Sequence, residues 1–214
     1  MPVTFSVDSR AESGMGALLV FIAMMLVSAV VAGVIIETSY MAQQRAQTVA
    51  ENAIAEVSSG LKVLSVVGDR YNPVSATLDT KINYVIIDVT LHSGSEALNL
   101  RRLVIELIDG NVLATLVWGG IETANISAGE TPVVADSLHF SVYPVRMLSG
   151  DFSATEPVIS QGDIVRIYIN ASAAGLNLAP QTRIQIKLIP QPGIPTIIDR
   201  WTPDVYIGRY IVIS

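Results

Sequence analysis

The stretch SGMGALLVFIAMMLVSAVVAGVII, from Ser13 to Ile36, contains no charged side chain. As an α-helix rising about 1.5 Å per residue it measures about 36 Å. That is enough to cross the roughly 30 Å hydrocarbon core of a bilayer with some tilt. Burying a Leu, Ile, Val, Met or Phe side chain is worth about 1.5 to 3 kcal/mol. A helix that is apolar on every side therefore forgoes a large stabilisation if it stands alone in water. It must lie in lipid or pack against other copies of itself, and it commits the rest of the chain to one carried domain.

Composition narrows what that domain does. Half of the 214 residues are hydrophobic and 15% are charged, which is too apolar for disorder. Beyond the helix the pattern alternates, which argues against further membrane spans. The net charge is −6 and the 13 Lys and Arg are scattered, so the electrostatic footprint of a nucleic-acid binder is missing. There is no cysteine, which removes disulfides, thiolate metal sites and cysteine nucleophiles together. The two histidines, His92 and His139, stand at a strand end and a strand start with no acid at a motif spacing. No G-x-S-x-G, Walker loop or H-E-x-x-H occurs, so the chain reads as non-enzymatic and needs no cofactor.

From Glu37 to about Leu61 the helix is expected to continue as an amphipathic segment. Ala42, Ala46, Val49, Ala50, Ala53, Ile54, Val57 and Leu61 form a stripe expected to pack on the following domain. After Gly60 the period changes to two. Strands are expected in KINYVIIDVTLH (81–92), RRLVIELI (101–108), VLATLVW (112–118), LHFSVYPVRML (138–148), DIVRIYINA (163–171), TRIQIKLIP (182–190) and GRYIVIS (208–214). Asp109-Gly110-Asn111 is the signal for a tight hairpin. The expected fold is α+β: a long N-terminal hydrophobic helix followed by an antiparallel, immunoglobulin-like β-sandwich. The expected parts are a leader (1–11), a helix (12–61) and an outer sandwich (62–214).

The residues before the run, MPVTFSVDSRA, form a polar leader whose one cation is Arg10. The apolar run is too long for a secretory signal core and no A-x-A site follows it, so it is expected to survive in the mature protein. From Glu12 to Gly33 the segment ESGMGALLVFIAMMLVSAVVAG resembles the N-terminus of archaeal flagellins, the archaellins. Gly14, Gly16, Leu18, Val20, Phe21, Ile22, Ala23, Met24, Leu26, Val27, Ala29, Ala32, Gly33 and Val34 fall in register. The C-terminal part, IPQPGIPTIIDRWTPDVYIGRYIVIS, is also similar to archaellin C-termini in its G-x-P and late closing strand. Between about Arg70 and Ala179 the likeness is one of strand rhythm.

The resemblance implies a structural subunit of an extracellular helical filament, the archaellum, used for swimming. It further implies removal of the leader by a prepilin-type peptidase between Ala11 and Glu12, with Arg10 and Ala11 recognised ahead of Gly14 and Gly16. Ala11 stands where the family usually carries glycine, and Arg10 alone stands where it carries several cations. The implied partners are copies of the same chain, that peptidase, the archaellum export and motor machinery, and the membrane while the chain is a precursor. An adhesive pilin of the same export system and a membrane-anchored, stator-like envelope domain are the alternatives.

Further candidate sites lie along the chain. Ser28, Ala29, Ala32 and Gly33 give overlapping small-x-x-x-small spacings that let helix backbones approach closely. Asn125-Ile126-Ser127 and Asn170-Ala171-Ser172 are N-glycosylation sequons, competent on an extracytoplasmic surface. Asp151, Glu156 and Asp163 are the carboxylates available for a structural calcium ion, although they lack the alternating ligand run of an EF-hand.

Overall fold

The computed structural model describes residues 9–73, 75–122, 136–148, 150 and 152–214, with helix side chains described from Gly14 to Ile54. One helix, α1, runs Ser9–Ser58. It begins upstream of the expected Glu12, because Arg10, Ala11 and Glu12 are all good helix formers and nothing interrupts them. It ends before the expected Leu61, at the Ser58-Ser59-Gly60 run of weak helix formers. Leu61 instead opens the first strand and is fully buried. Of the expected stripe on the second half of α1, Val49 and Ile54 are exposed, and the side chain of Val57 lies outside the described set. The chain divides into two compact units between Glu51 and Asn52.

The second unit is built from thirteen strands among the described residues: β1 Leu61–Asp69, β2 Tyr71–Asn72, β3 Thr77–Leu78, β4 Tyr84–Leu91, β5 Leu98–Asn99, β6 Val104–Ile108, β7 Leu113–Ile121, β8 His139–Arg146, β9 Val158–Ile159, β10 Ile164–Asn170, β11 Arg183–Ile189, β12 Thr196–Trp201 and β13 Tyr210–Val212. Arg101 and Arg102, expected in a strand, fall in a 3₁₀ turn whose cap Asn99 accepts the Arg101 N–H. Nine strands form one sheet in the order β12-β11-β6-β7-β8-β10-β4-β1-β13. Every pairing in it is antiparallel except β7 with β8.

That parallel pair departs from the expected all-antiparallel sandwich, and it explains how one sheet makes two layers. The first half of β7 pairs with β6, Ile105 opposite Leu116, and the second half pairs with β8, Val117 opposite His139. β7 thus leaves one layer and enters the other. The register shifts between Trp118 and Gly120, and Gly120 has φ +145°. A Cβ on Gly119 would lie 2.7 Å from His139 Cβ and 3.1 Å from the Phe140 carbonyl oxygen. Two glycines therefore give the bend and the close approach that the crossing requires. In sequence β7 and β8 stand far enough apart for a parallel pairing.

Alternate residues of both layers converge on one core. Val85, Ile87 and Val89 of β4, Val165, Ile167 and Ile169 of β10, Ile105 and Leu107 of β6, and Ile184, Ile186 and Leu188 of β11 are buried in it. The domain is a mostly antiparallel, sandwich-like β structure. Sequence periodicity missed β12, since Thr196–Trp201 lies between Pro195 and Pro203 and its exposed and buried residues do not strictly alternate. It is an edge strand, where flanking prolines cost no ladder bond.

The C-terminal segment is fastened by two arginines, Arg70 just after β1 and Arg209 just before β13. Asp69 is fully buried, and its carboxylate accepts from Arg209 Nε at 3.0 Å and Nη2 at 2.9 Å and from the Tyr71 N–H at 2.9 Å. Arg209 stacks on Tyr71 and Tyr210. Arg70 donates to the carbonyls of Tyr206 and Gly208. On the far face of β4 and β10, Arg166 pairs with Asp88 at 2.6 Å, and burial pushes the adjacent Tyr168 phenol up to about 12.

Candidate functional site

The candidate functional surface is the helix itself. Every described side chain from Gly14 to Ile54 is exposed, including Leu18, Phe21, Met24, Val27 and Ile36. It is the one helix among the described residues long and apolar enough to cross a membrane. Ser28 and Thr38 donate to the carbonyls of Met24 and Val34 one turn back, so neither hydroxyl presents an unsatisfied donor to an apolar neighbour.

Ser28, Ala29, Ala32 and Gly33 lie together on this helix, with Gly14 and Gly16 nearer its start. A glycine inside a helix costs roughly 0.5 to 1 kcal/mol relative to alanine, so it needs a reason. A Cβ added at Gly14, Gly16 or Gly33 would meet nothing within 4 Å, and none of the three has a positive φ. The single chain gives no reason for any of them. A surface that stays flat without an intrachain neighbour is suited to receive another helix closely. Arg10, Ala11 and Glu12 are helical in backbone, and their side chains lie outside the described set.

The remaining candidates are dispersed over the sandwich. Asn170 ends β10 half-buried, its Oδ1 accepting the Ala173 N–H at 2.9 Å, with Ser172 exposed beside it. Asn125 lies outside the described residues, as does Asp151. Asp163 is buried, its carboxylate accepting the N–H of Leu148 at 2.6 Å and of Ser160 at 2.8 Å, whereas Glu156 is exposed. Asp163 thus closes its loop through backbone donors, and the structure does not bring it together with Glu156. No group of three His, Cys, Asp or Glu suited to a metal ion occurs among the described residues. His139 contacts Asp136 at 2.9 Å, an exposed pair that also caps the start of β8. Sequence reasoning passed over Asp136 because it lies just outside the strand pattern.

Comparison with known proteins gives the family. The family described as archaeal-type flagellin matches residues 11–200. Flagellin B2 of Methanocaldococcus jannaschii is 37% identical, over 98% of this chain and 97% of its own. Flagellin B5 of Pyrococcus abyssi is 33% identical, over 94% of this chain and 98% of its own. Among solved structures, the archaeal flagellum of Methanospirillum hungatei strain JF1 matches with a TM-score of 0.67 at 19% identity, covering 94% of this chain and 99% of that one. The crystal structure of archaeal flagellin FlaB1 from Methanocaldococcus jannaschii matches with a TM-score of 0.60 at 24% identity, covering 72% and 96%. A bare apolar helix with unexplained glycines, a sandwich-like outer domain and full-length relatives at this identity place the chain in one family: it belongs to the archaeal-type flagellins.

Proposed function

We propose that this chain is a structural subunit of the archaellum, an extracellular helical filament used for swimming, held together by packing of its N-terminal helices. The observation that supports this most is the exposure of α1 from Gly14 to Ile54 with open space at Gly33. Packing against sister helices replaces lipid contact at little net cost, since acyl chains and neighbouring Leu or Ile side chains are similarly apolar. The chain is made as a membrane-inserted precursor, and the leader is removed between Ala11 and Glu12 by a prepilin-type peptidase. The sandwiches tile the outside and transmit torque generated by the separate export and motor machinery, with no catalysis of their own. Asn125 and Asn170 are acceptors for surface glycans.

Electron microscopy of shed surface filaments, combined with mass spectrometry of the chain's N-terminus, tests this reading. The expected result is long helical filaments whose subunits begin at Glu12, and their loss on A29D or G33D substitution. Finding only detergent-bound monomers that retain Met1 would overturn it.

A further inference from the structure

On α1 every fourth residue from Met25 falls on one inclined row: Met25, Ala29, Gly33, Glu37, Met41 and Arg45. All six are exposed. In the proposed filament a sister backbone comes closest at the small residues Ala29 and Gly33, and Glu37 lies one turn further along the same row. Glu37 is also the first charge after the apolar run. A contact built on Ala29 and Gly33 therefore draws the Glu37 carboxylate toward the interface, where a carboxylate withdrawn from water needs a cation.

From Gly14 to Ile54 the charged residues are Glu37, Arg45 and Glu51. Arg45 is thus the single cation this described helix surface offers. It cannot serve Glu37 of its own chain: eight residues at 1.5 Å place the two about 12 Å apart along the axis, whereas pairs on one helix stand three or four residues apart. Neither takes part in an ion pair within the chain among the described residues.

We propose that in the filament the Glu37 carboxylate of one copy pairs with the Arg45 guanidinium of a neighbouring copy. The two parallel helices are then offset by roughly 12 Å along their axes. This contact deepens the filament reading and rests on it. Its role is register: the run from Ser13 to Ile36 is apolar on all sides and tolerates sliding, whereas a bidentate charge pair in a water-poor interface is satisfied at one offset.

The test compares cells making the wild-type chain, E37R, R45E and the E37R/R45E double variant, with surface filaments counted by electron microscopy. Each single variant is expected to lower the count by about tenfold or more, through a charge left unpaired at the interface. The double variant is expected to restore it. Single variants that assemble like wild type, or a double variant as bare as the singles, overturn the pair. Loss with E37R but not with R45E does so too, since Glu37 then answers to another cation. A wild-type chain that makes no filaments sinks the filament reading itself.

Discussion

Asp109 shows how one carboxylate settles a turn. Burial pushes its pKa up, but the N–H groups of Asn177, Val112 and Asn111 all donate to it and together hold it below the ordinary aspartate value of 3.8. A folded-state pKa below the unfolded one contributes stability that is complete above the unfolded value and is lost as pH falls through the folded one. The D109A variant is therefore expected to lose about 1 to 3 kcal/mol at neutral pH, with backbone donors left without an acceptor. The gap to wild type should narrow as the solution is taken below about pH 4. Urea unfolding of both chains across that range measures it, and a pH-independent gap would count against the charge as the cause. The hairpin itself was legible, because Asp-Gly-Asn between two alternating runs is a local signal. The Asn177 donor was not, since it reaches Asp109 only once β6, β7 and the segment before β11 are folded together.

At the scale of elements, α1 and β7 use glycine for opposite reasons. Gly33 has open space around it and an ordinary helical backbone, so G33A is expected to favour the helix in an isolated chain by roughly 0.5 to 1 kcal/mol. In the proposed helix packing the added methyl would stand where a sister backbone approaches, and the same variant should lower filament stability to heat or detergent. Circular dichroism of detergent-held monomers and melting of sheared filaments separate the two signs. Gly119 is tight within its own chain, where a methyl meets His139 Cβ at 2.7 Å. The G119A variant is expected to cost about 1 to 3 kcal/mol, read as a lower urea midpoint for the outer domain. Apolar periodicity and turn residues located β4, β6, β7, β8, β10 and β11 to within a few residues. They could not reveal that β7 belongs to both layers, because a strand's partner is set by what lies beside it rather than by its own alternation.

For the whole molecule, the division between Glu51 and Asn52 separates an exposed apolar helix surface from a domain that has its own core. A chain beginning at Asn52 is expected to fold, remain monomeric and form no filaments. Sedimentation and a cooperative thermal transition check the first two, and electron microscopy the third. Aggregation of this fragment, or loss of its transition, would mean that the sandwich depends on α1. Its expected independence follows from a core whose buried residues run from Leu61 to Ile213, all within the second unit.

The amino-acid sequence by itself determined that one helix must be covered by something other than water, since an uninterrupted apolar run has that consequence in any fold. It also determined an alternating, cysteine-free outer domain, and through the register of VFIAM with its two glycines it pointed to the family. Only the tertiary structure decided that β7 passes between layers, that Asp163 closes a loop with backbone donors, and that Asp69 anchors the C-terminal strand through Arg209. These depend on residues brought together from distant parts of the chain, and a local pattern carries no record of the neighbour it will meet. The small residues at Ala29 and Gly33 stand between the two cases: their spacing is plain in the sequence, while the structure adds that nothing lies within 4 Å of a Cβ placed on Gly33.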